Sequence, residues 1–283
     1  MTAFWLTQGQ NNLCLQPISG MVANIEIRSV YHKLVPRFLR ELVHPIVRPK
    51  VSLLRIHARY HSGGAVVSGP FAGLRFNNKY FDLPKVLGTY EIEIHPVFER
   101  LRNRSFRTVV DVGAAEGYYA VGMLLWNKEC SVIAYEGNTD YHESIRYLAR
   151  ANNVEHRLDL RGLCDETSLR GIGDELAEAF MIVDVEGYEK TLLNPETVPA
   201  LRAATILVEV HDCFVEGCTE TLRQRFSPTH HITSYTSRDR FVSEYPVASG
   251  LMQRGFMQST VVKAIGDGRT EINGWLLLEP KNG

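Results

Sequence analysis

Five apolar, β-branched-rich runs begin near Arg107 (RTVVDVG), Ser131 (SVIAYEG), Arg157 (RLDLRGL), Phe180 (FMIVDVEG) and Ala204 (ATILVEVHD), at intervals of 24, 26, 23 and 24 residues. Several are apolar almost without a break, the pattern of strands buried on both faces of a parallel sheet. Helix-length segments such as 140–152 separate them, so the pattern predicts successive βα units and a doubly wound α/β domain. After Asp212 a helical stretch leads to HHITSYTS and then to INGWLLLEP, which read as two closing strands. The prediction is therefore an α/β, Rossmann-like sheet of seven strands.

The chain before Arg107 follows other rules. Over Gly88–Arg102, Ile92, Ile94, Val97, Phe98 and Leu101 predict a helix, while 61–82 is punctuated by Gly, Pro and Asn and reads as a small β element or loop. Ile27, Val30, Tyr31, Leu34, Val35, Phe38, Leu39, Leu42, Val43 and Ile46 recur at helical spacing, with Pro36 either kinking that helix or restarting it. The expected organisation is an N-terminal extension over 1–86 and a main domain over 87–283. Within the latter, 237–270 is a mixed segment suited to an inserted substrate cap.

Charge sharpens this picture. The 283 residues carry a net charge of −1, but 28–60 hold eight Lys/Arg against Glu41 alone, +7 in one stretch and −8 elsewhere. With no global basic field, nucleic acid is not an expected partner. A basic amphipathic helix in 28–60 packs its apolar face on the core, or docks on an anionic membrane or a partner. The composition, 45% hydrophobic and 22% charged, is globular. No apolar run approaches the ~20 residues of a membrane span, and MTAFWLTQGQ lacks the basic start of a secretory signal. Five cysteines without CxxC spacing argue against a disulfide framework or a zinc site, and a reduced, cytoplasmic setting is expected. Oligomeric state is not readable.

Candidate chemistry lies at the strand ends. Strand one runs into Asp111-Val112-Gly113-Ala114-Ala115-Glu116-Gly117, a glycine-containing turn into a helix, where the backbone can pass close to a ligand. A pyrophosphate site wants GxGxxG and no anion aimed at it; Asp111 and Glu116 would repel phosphate and suit a ligand bearing an ammonium or sulfonium charge. S-adenosylmethionine is such a ligand. Strand two ends in Glu136-Gly137-Asn138, where an acid 25 residues after Asp111 can accept two ribose hydroxyls. Strand three runs into Cys164-Asp165, placed for an adenine edge, although Asp165 equally suits a helix cap. Strand four ends in Asp184-Val185-Glu186-Gly187-Tyr188-Glu189, with Glu189 in the next helix's first turn, and strand five in Glu209-Val210-His211-Asp212. Acids crowded at the C-terminal rim of a parallel sheet mark a ligand site, and His211 is the side chain there that can act as a neutral base near pH 7.

VVDVGAAEGYYA, VIAYEGN, IVDVEGYEKTLL and ILVEVHD, in this order and spacing, resemble the FkbM family of class I S-adenosylmethionine-dependent methyltransferases. The resemblance spans roughly 87–212, including GTYEIEI (Gly88–Ile94). Ala115-Glu116 departs from it, since the family often has Asn followed by a small or aliphatic residue. It implies the seven-stranded methyltransferase sheet, S-adenosylmethionine as cofactor, and O-methylation of a sugar, glycan or polyketide-like acceptor. By carry-over, Asp111, Gly113, Ala114, Ala115, Glu116, Gly117 and Tyr118 hold the methionine end, with Tyr90 and Glu91 covering it. Glu136, Gly137 and Asn138 hold the ribose, Cys164 and Asp165 the adenine, and Asp184 faces the amino group or the methyl. An alcohol must lose its proton as it attacks. His211 is the candidate base, with Glu209 or Glu186 orienting or replacing it; no metal is assigned, although Asp184, Glu209 and Asp212 offer oxygen ligands for Mg²⁺ of the kind catechol-type methyltransferases use. Two alternatives stay open: a silent binding protein on the same fold, and an N-methyltransferase, whose Asn/Asp-Pro-Pro-aromatic turn is replaced here by DVEG.

Overall fold

A computed structural model describes residues 49–76, 82–247, 250, 252, 254–266 and 274–281. The chain divides at Pro49, and the compact body runs from Lys50 to Gly283. The amphipathic pattern at 27–46, and with it much of the basic stretch, lies outside the described residues.

The body is built on one seven-stranded sheet in the order β3-β2-β1-β4-β5-β7-β6. Its strands are β1 Thr108–Val112, β2 Ser131–Tyr135, β3 Leu158–Arg161, β4 Phe180–Val183, β5 Thr205–Val210, β6 His230–Thr236 and β7 Gly274–Pro280. β1 to β5 pair in parallel, with Asp111 opposite Ala134 of β2 and Ile182 of β4. β7 is antiparallel to both neighbours and places Trp275 between Glu209 and Tyr235. The seven strands expected from sequence are all present among the described residues, in a Rossmann-like sheet with β7 antiparallel to its neighbours.

Every residue of β4 and β5 is buried, while the edge strands β3 and β6 are half open, as their mixed sequences require. Side chains alternate between two cores. Val109, Val132, Ala134, Ile182, Leu207 and Leu277 face one, and Val110, Val112, Ile133, Met181, Val208 and Leu278 the other. The first core is covered by helices α1 Pro49–Ser62, α2 Leu83–Leu87, α3 His95–Leu101, α4 Tyr118–Trp126 and α5 His142–Ala151. The second is covered by α6 Glu166–Gly171, α7 Gly173–Leu176, α8 Glu189–Leu192 and α9 Cys218–Phe226. α10, Gly255–Ile265, returns to the first.

Two expectations are corrected. The boundary expected after residue 86 falls between Pro49 and Lys50, because Leu54, Ala58, Val66, Phe71, Leu74 and Phe76 are buried in the same core as Val109 and Leu124. The helix predicted over Gly88–Arg102 is a turn, a 3-10 segment Ile92–Ile94 and then α3, whose first turn begins at His95-Pro96. Proline there costs no hydrogen bond. Segment 237–270, expected as an inserted cap, is anchored in this body. Met257, Val261 and Ile265 enter the core, Arg240 makes a buried 2.8 Å ion pair with Glu93, and the Tyr245 hydroxyl is 2.8 Å from His57 Nδ1.

Candidate active site

Parallel α/β sheets bind ligands beyond the carboxyl ends of their strands, and the acids at the ends of β1, β2, β4 and β5 meet there. The turn after β1 is pinned to β2: the N–H groups of Gly113 and Ala114 both donate to the Tyr135 carbonyl, at 2.9 and 3.1 Å. Gly113 has φ +88°, and a Cβ built on it would lie 1.8 Å from the Asp184 carbonyl oxygen. Only glycine lets the β1 and β4 turns come this close, so the residue expected to admit a ligand also joins the two halves of the site. Ala115 follows at φ 45°. That region is costly for a residue with a Cβ, and such strain gathers where geometry serves function.

Glu136 braces the turn from β2. Its Oε2 accepts from the Ala115 N–H at 2.7 Å and its Oε1 from the Asn138 N–H at 2.6 Å. Each carboxylate oxygen has a second lone pair, so both keep capacity for a ligand hydroxyl. Asp111 sits beside it, 2% exposed, and its Oδ2 is buried with no hydrogen-bond partner among the described residues. Burial first, then the Glu136 charge, pushes its carboxyl up to about 7, although a bond from the Ala120 backbone works the other way.

Glu116 is engaged differently from the expectation. It is paired with Lys85 of α2, whose ammonium also lies 4.5 Å from the centre of the Tyr90 ring. The Tyr90 and Tyr118 rings meet edge to face at 5.7 Å. Glu91, fully buried at φ 47°, accepts from the Tyr119 hydroxyl. Tyr90, Glu91, Glu116 and Tyr118 are therefore brought together, as a charged and aromatic wall beside the β1 turn. Cys164 is buried in the core on the other face, where burial raises its thiol to about 12. Exposed Asp165 caps α6 by accepting from the Ser168 N–H and hydroxyl, both at 2.7 Å. Gly137 is left bare beneath Leu163, an exposed leucine whose Cδ1 would be 3.1 Å from a Cβ there.

The ends of β4 and β5 build the second half. Glu186 at φ 51° and Gly187 at φ 104° reverse the chain after Asp184, so that α8 begins with Glu189 pointing inward. Glu189 is fully buried; its Oε1 accepts from the Gly187 N–H at 3.1 Å and lies 2.7 Å from His211 Nδ1. A carboxylate only accepts, so Nδ1 carries the hydrogen and Nε2 is turned toward Glu186 at 3.6 Å, Asp184 at 3.7 Å and Glu209 at 3.9 Å. Burial works against a charged imidazole, but the Glu189 bond and the surrounding carboxylates outweigh it and raise the affinity of His211 for a proton. The same bond and the Gly187 N–H overcome the burial of Glu189 and lower its pKa. Phe214, exposed, stacks on the imidazole at 5.6 Å and 15°.

Three of the four candidates for the chemical step, Asp184, Glu186 and Glu209, are thus gathered around the imidazole of the fourth, His211. The residue that orients His211 is Glu189, in place of the expected Glu209 or Glu186. Its sequence signal, an acid in a helix's first turn, has the commoner explanation of a favourable helix dipole. Lys85 had no local signal, since its partner lies 31 positions away.

No protein-family model matches the chain, and no curated protein matches it. Among solved structures, the chain is similar to the O-methyltransferase TomG from Streptomyces achromogenes at 13% identity and TM-score 0.41, covering 65% of this chain and 78% of that one. An O-methyltransferase from Bacillus cereus in complex with SAH gives 10% and 0.43, covering 89% and 96%. A precorrin-6y C5,15-methyltransferase from Geobacter metallireducens gives 11% and 0.44, covering 72% and 91%.

Proposed function

We propose that this chain is an S-adenosylmethionine-dependent methyltransferase of FkbM type that methylates a hydroxyl on a sugar, glycan or polyketide-like acceptor. The observation that carries the reading is the pair Asp111 and Glu136 at adjacent strand ends. One is a buried carboxyl with an unused acceptor atom, the other a braced carboxylate with spare lone pairs. This donor-poor, acidic cradle fits a ligand that brings its own ammonium and hydroxyl donors, and it repels a pyrophosphate. Asp111 would receive the ammonium and Glu136 the ribose hydroxyls. Leu163 and Gly137 would offer an apolar face for the adenine, while the wall of Tyr90, Glu91, Glu116 and Tyr118 closes the methionine side.

When bound, S-adenosylmethionine supplies an electrophilic methyl on a sulfonium. The chain's own work is alignment and removal of a proton. Glu189 fixes the imidazole, His211 Nε2 takes the hydroxyl proton as the acceptor oxygen attacks, and Asp184, Glu186 and Glu209 stabilise the imidazolium that results. The exposed Phe214 ring offers the acceptor a flat apolar surface beside that atom. DVEG at the end of β4 lacks the prolines of an amine-gripping turn, which favours a hydroxyl over a base nitrogen.

Calorimetric titration with S-adenosylhomocysteine, with NAD⁺ as control, tests the reading. Micromolar binding, about −8 kcal/mol, is expected for S-adenosylhomocysteine alone and should be lost in Glu136→Ala. Binding of neither ligand would favour a silent protein on the same fold.

A further inference from the structure

The carboxylates around His211 are arranged for something larger than a proton. One imidazole carries at most a single positive charge, yet His211 faces four carboxylates: Glu189 on Nδ1, and Asp184, Glu186 and Glu209 on Nε2. A protonated Nε2 sharing its hydrogen with a carboxylate would sit about 2.7–2.9 Å from it. The observed separations are 3.6, 3.7 and 3.9 Å, each beyond hydrogen-bond reach. Ligand atoms that share a divalent ion at about 2.1 Å stand roughly 3.0–3.5 Å apart, so these gaps are near the spacing of co-ligands. One ligand atom from each of Asp184, Glu186 and His211 lies within 4.8 Å of the other two. The imidazole is 2% exposed, and its Nε2 is aimed into the middle of the set. Behind it, Glu189 takes the other ring nitrogen at 2.7 Å, the outer carboxylate that metal-bound histidines characteristically have, and fixes the tautomer a ligand needs.

We propose that Asp184, Glu186 and His211 Nε2 bind one divalent first-row transition-metal cation at the carboxyl ends of β4 and β5. The mixed set of one imidazole and two carboxylates favours an ion such as Mn²⁺, Fe²⁺ or Zn²⁺ over Ca²⁺ or Mg²⁺, which take oxygen alone. The site stands on this geometry whatever the reaction; its role rests on the methyltransferase reading. There, the cation would hold the acceptor's oxygen and lower its pKa, a task that replaces proton abstraction by a bare Nε2.

The test uses the full chain, dialysed against a chelator and titrated with Mn²⁺ alone, with free ion followed by its electron paramagnetic resonance signal. One Mn²⁺ per chain is expected, with ¹⁴N modulation in the spin echo from the imidazole. The Glu186 side chain is 72% exposed, so Glu186→Gln should fold normally and weaken binding at least tenfold. His211→Ala should remove the nitrogen signal. No saturable binding, or binding with unchanged affinity in Glu186→Gln and no nitrogen modulation, overturns the proposal. A parallel titration with S-adenosylhomocysteine separates the two ideas. Mn²⁺ bound without it leaves the cation site standing and removes methyl transfer, and the reverse result removes the cation site alone.

Discussion

Asp111 is the residue whose environment does most to set the chemistry of the β1 turn. Burial and the neighbouring Glu136 charge lift its carboxyl to about 7 from the ordinary value near 3.9. A carboxyl raised on folding binds its proton more tightly in the native state. Its contribution is therefore complete below about pH 4 and is lost as pH rises through about 7. Urea midpoints between pH 4 and 7.5 should show the native chain losing stability relative to Asp111→Asn across that window, by a few kcal/mol at most. A constant difference would mean that the carboxyl is not raised. In the methyltransferase reading, an ammonium docking on Asp111 would discharge this proton, so S-adenosylhomocysteine binding at pH 6 should give a heat that depends on the buffer's ionisation enthalpy.

At the scale of the element, α4 shows how packing overrides propensity. Gly122 lies inside this helix, where alanine would gain up to about 1 kcal/mol. A Cβ there would fall 2.6 Å from Phe71 Cγ. The Phe71 ring is 1% exposed and held edge to face at 5.2 Å by both Phe98 and Tyr118, so it has nowhere to move. Overpacking of this kind costs about 1–3 kcal/mol. Gly122→Ala should therefore be destabilised by about 1–2 kcal/mol in chemical denaturation, with part of the loss recovered by adding Phe71→Leu. A more stable alanine variant would show that the ring yields.

The strands were legible in the sequence because β1, β4 and β5 are buried on both faces and leave nearly unbroken apolar runs. The acids at their ends were legible because charge is rare in such places. What could not be read depends on contacts between distant positions. The Asp184 carbonyl against Gly113, Lys85 on Glu116 and Glu189 behind His211 each join segments that only the folded sheet brings together.

For the whole molecule, the boundary at Pro49 has a measurable consequence. A chain starting at residue 50 keeps Leu54, Val66, Phe71, Leu74 and Phe76 in the core, whereas one starting at residue 87 exposes the partners they cover. At about 1.5–3 kcal/mol for each buried side chain, that loss is comparable to the whole stability of a domain, about 5–15 kcal/mol. The chain from 50 should unfold in one cooperative transition, and the chain from 87 should show none. Cooperative unfolding of the shorter chain would restore the boundary at 86.

The place of β7 determines when the sheet can be closed. β6 pairs with β7 alone, and β7 fills the slot beside β5, with Trp275 in register with Glu209. Five parallel strands can assemble as they leave the ribosome, but β5 stays an open edge until β7 has also cleared the exit tunnel. Through that interval a largely apolar strand, at whose end His211 stands, is a template for any passing β-segment. The nascent chain is thus most exposed to mispairing beside its candidate site, and β7, which follows β6 in the chain, closes it.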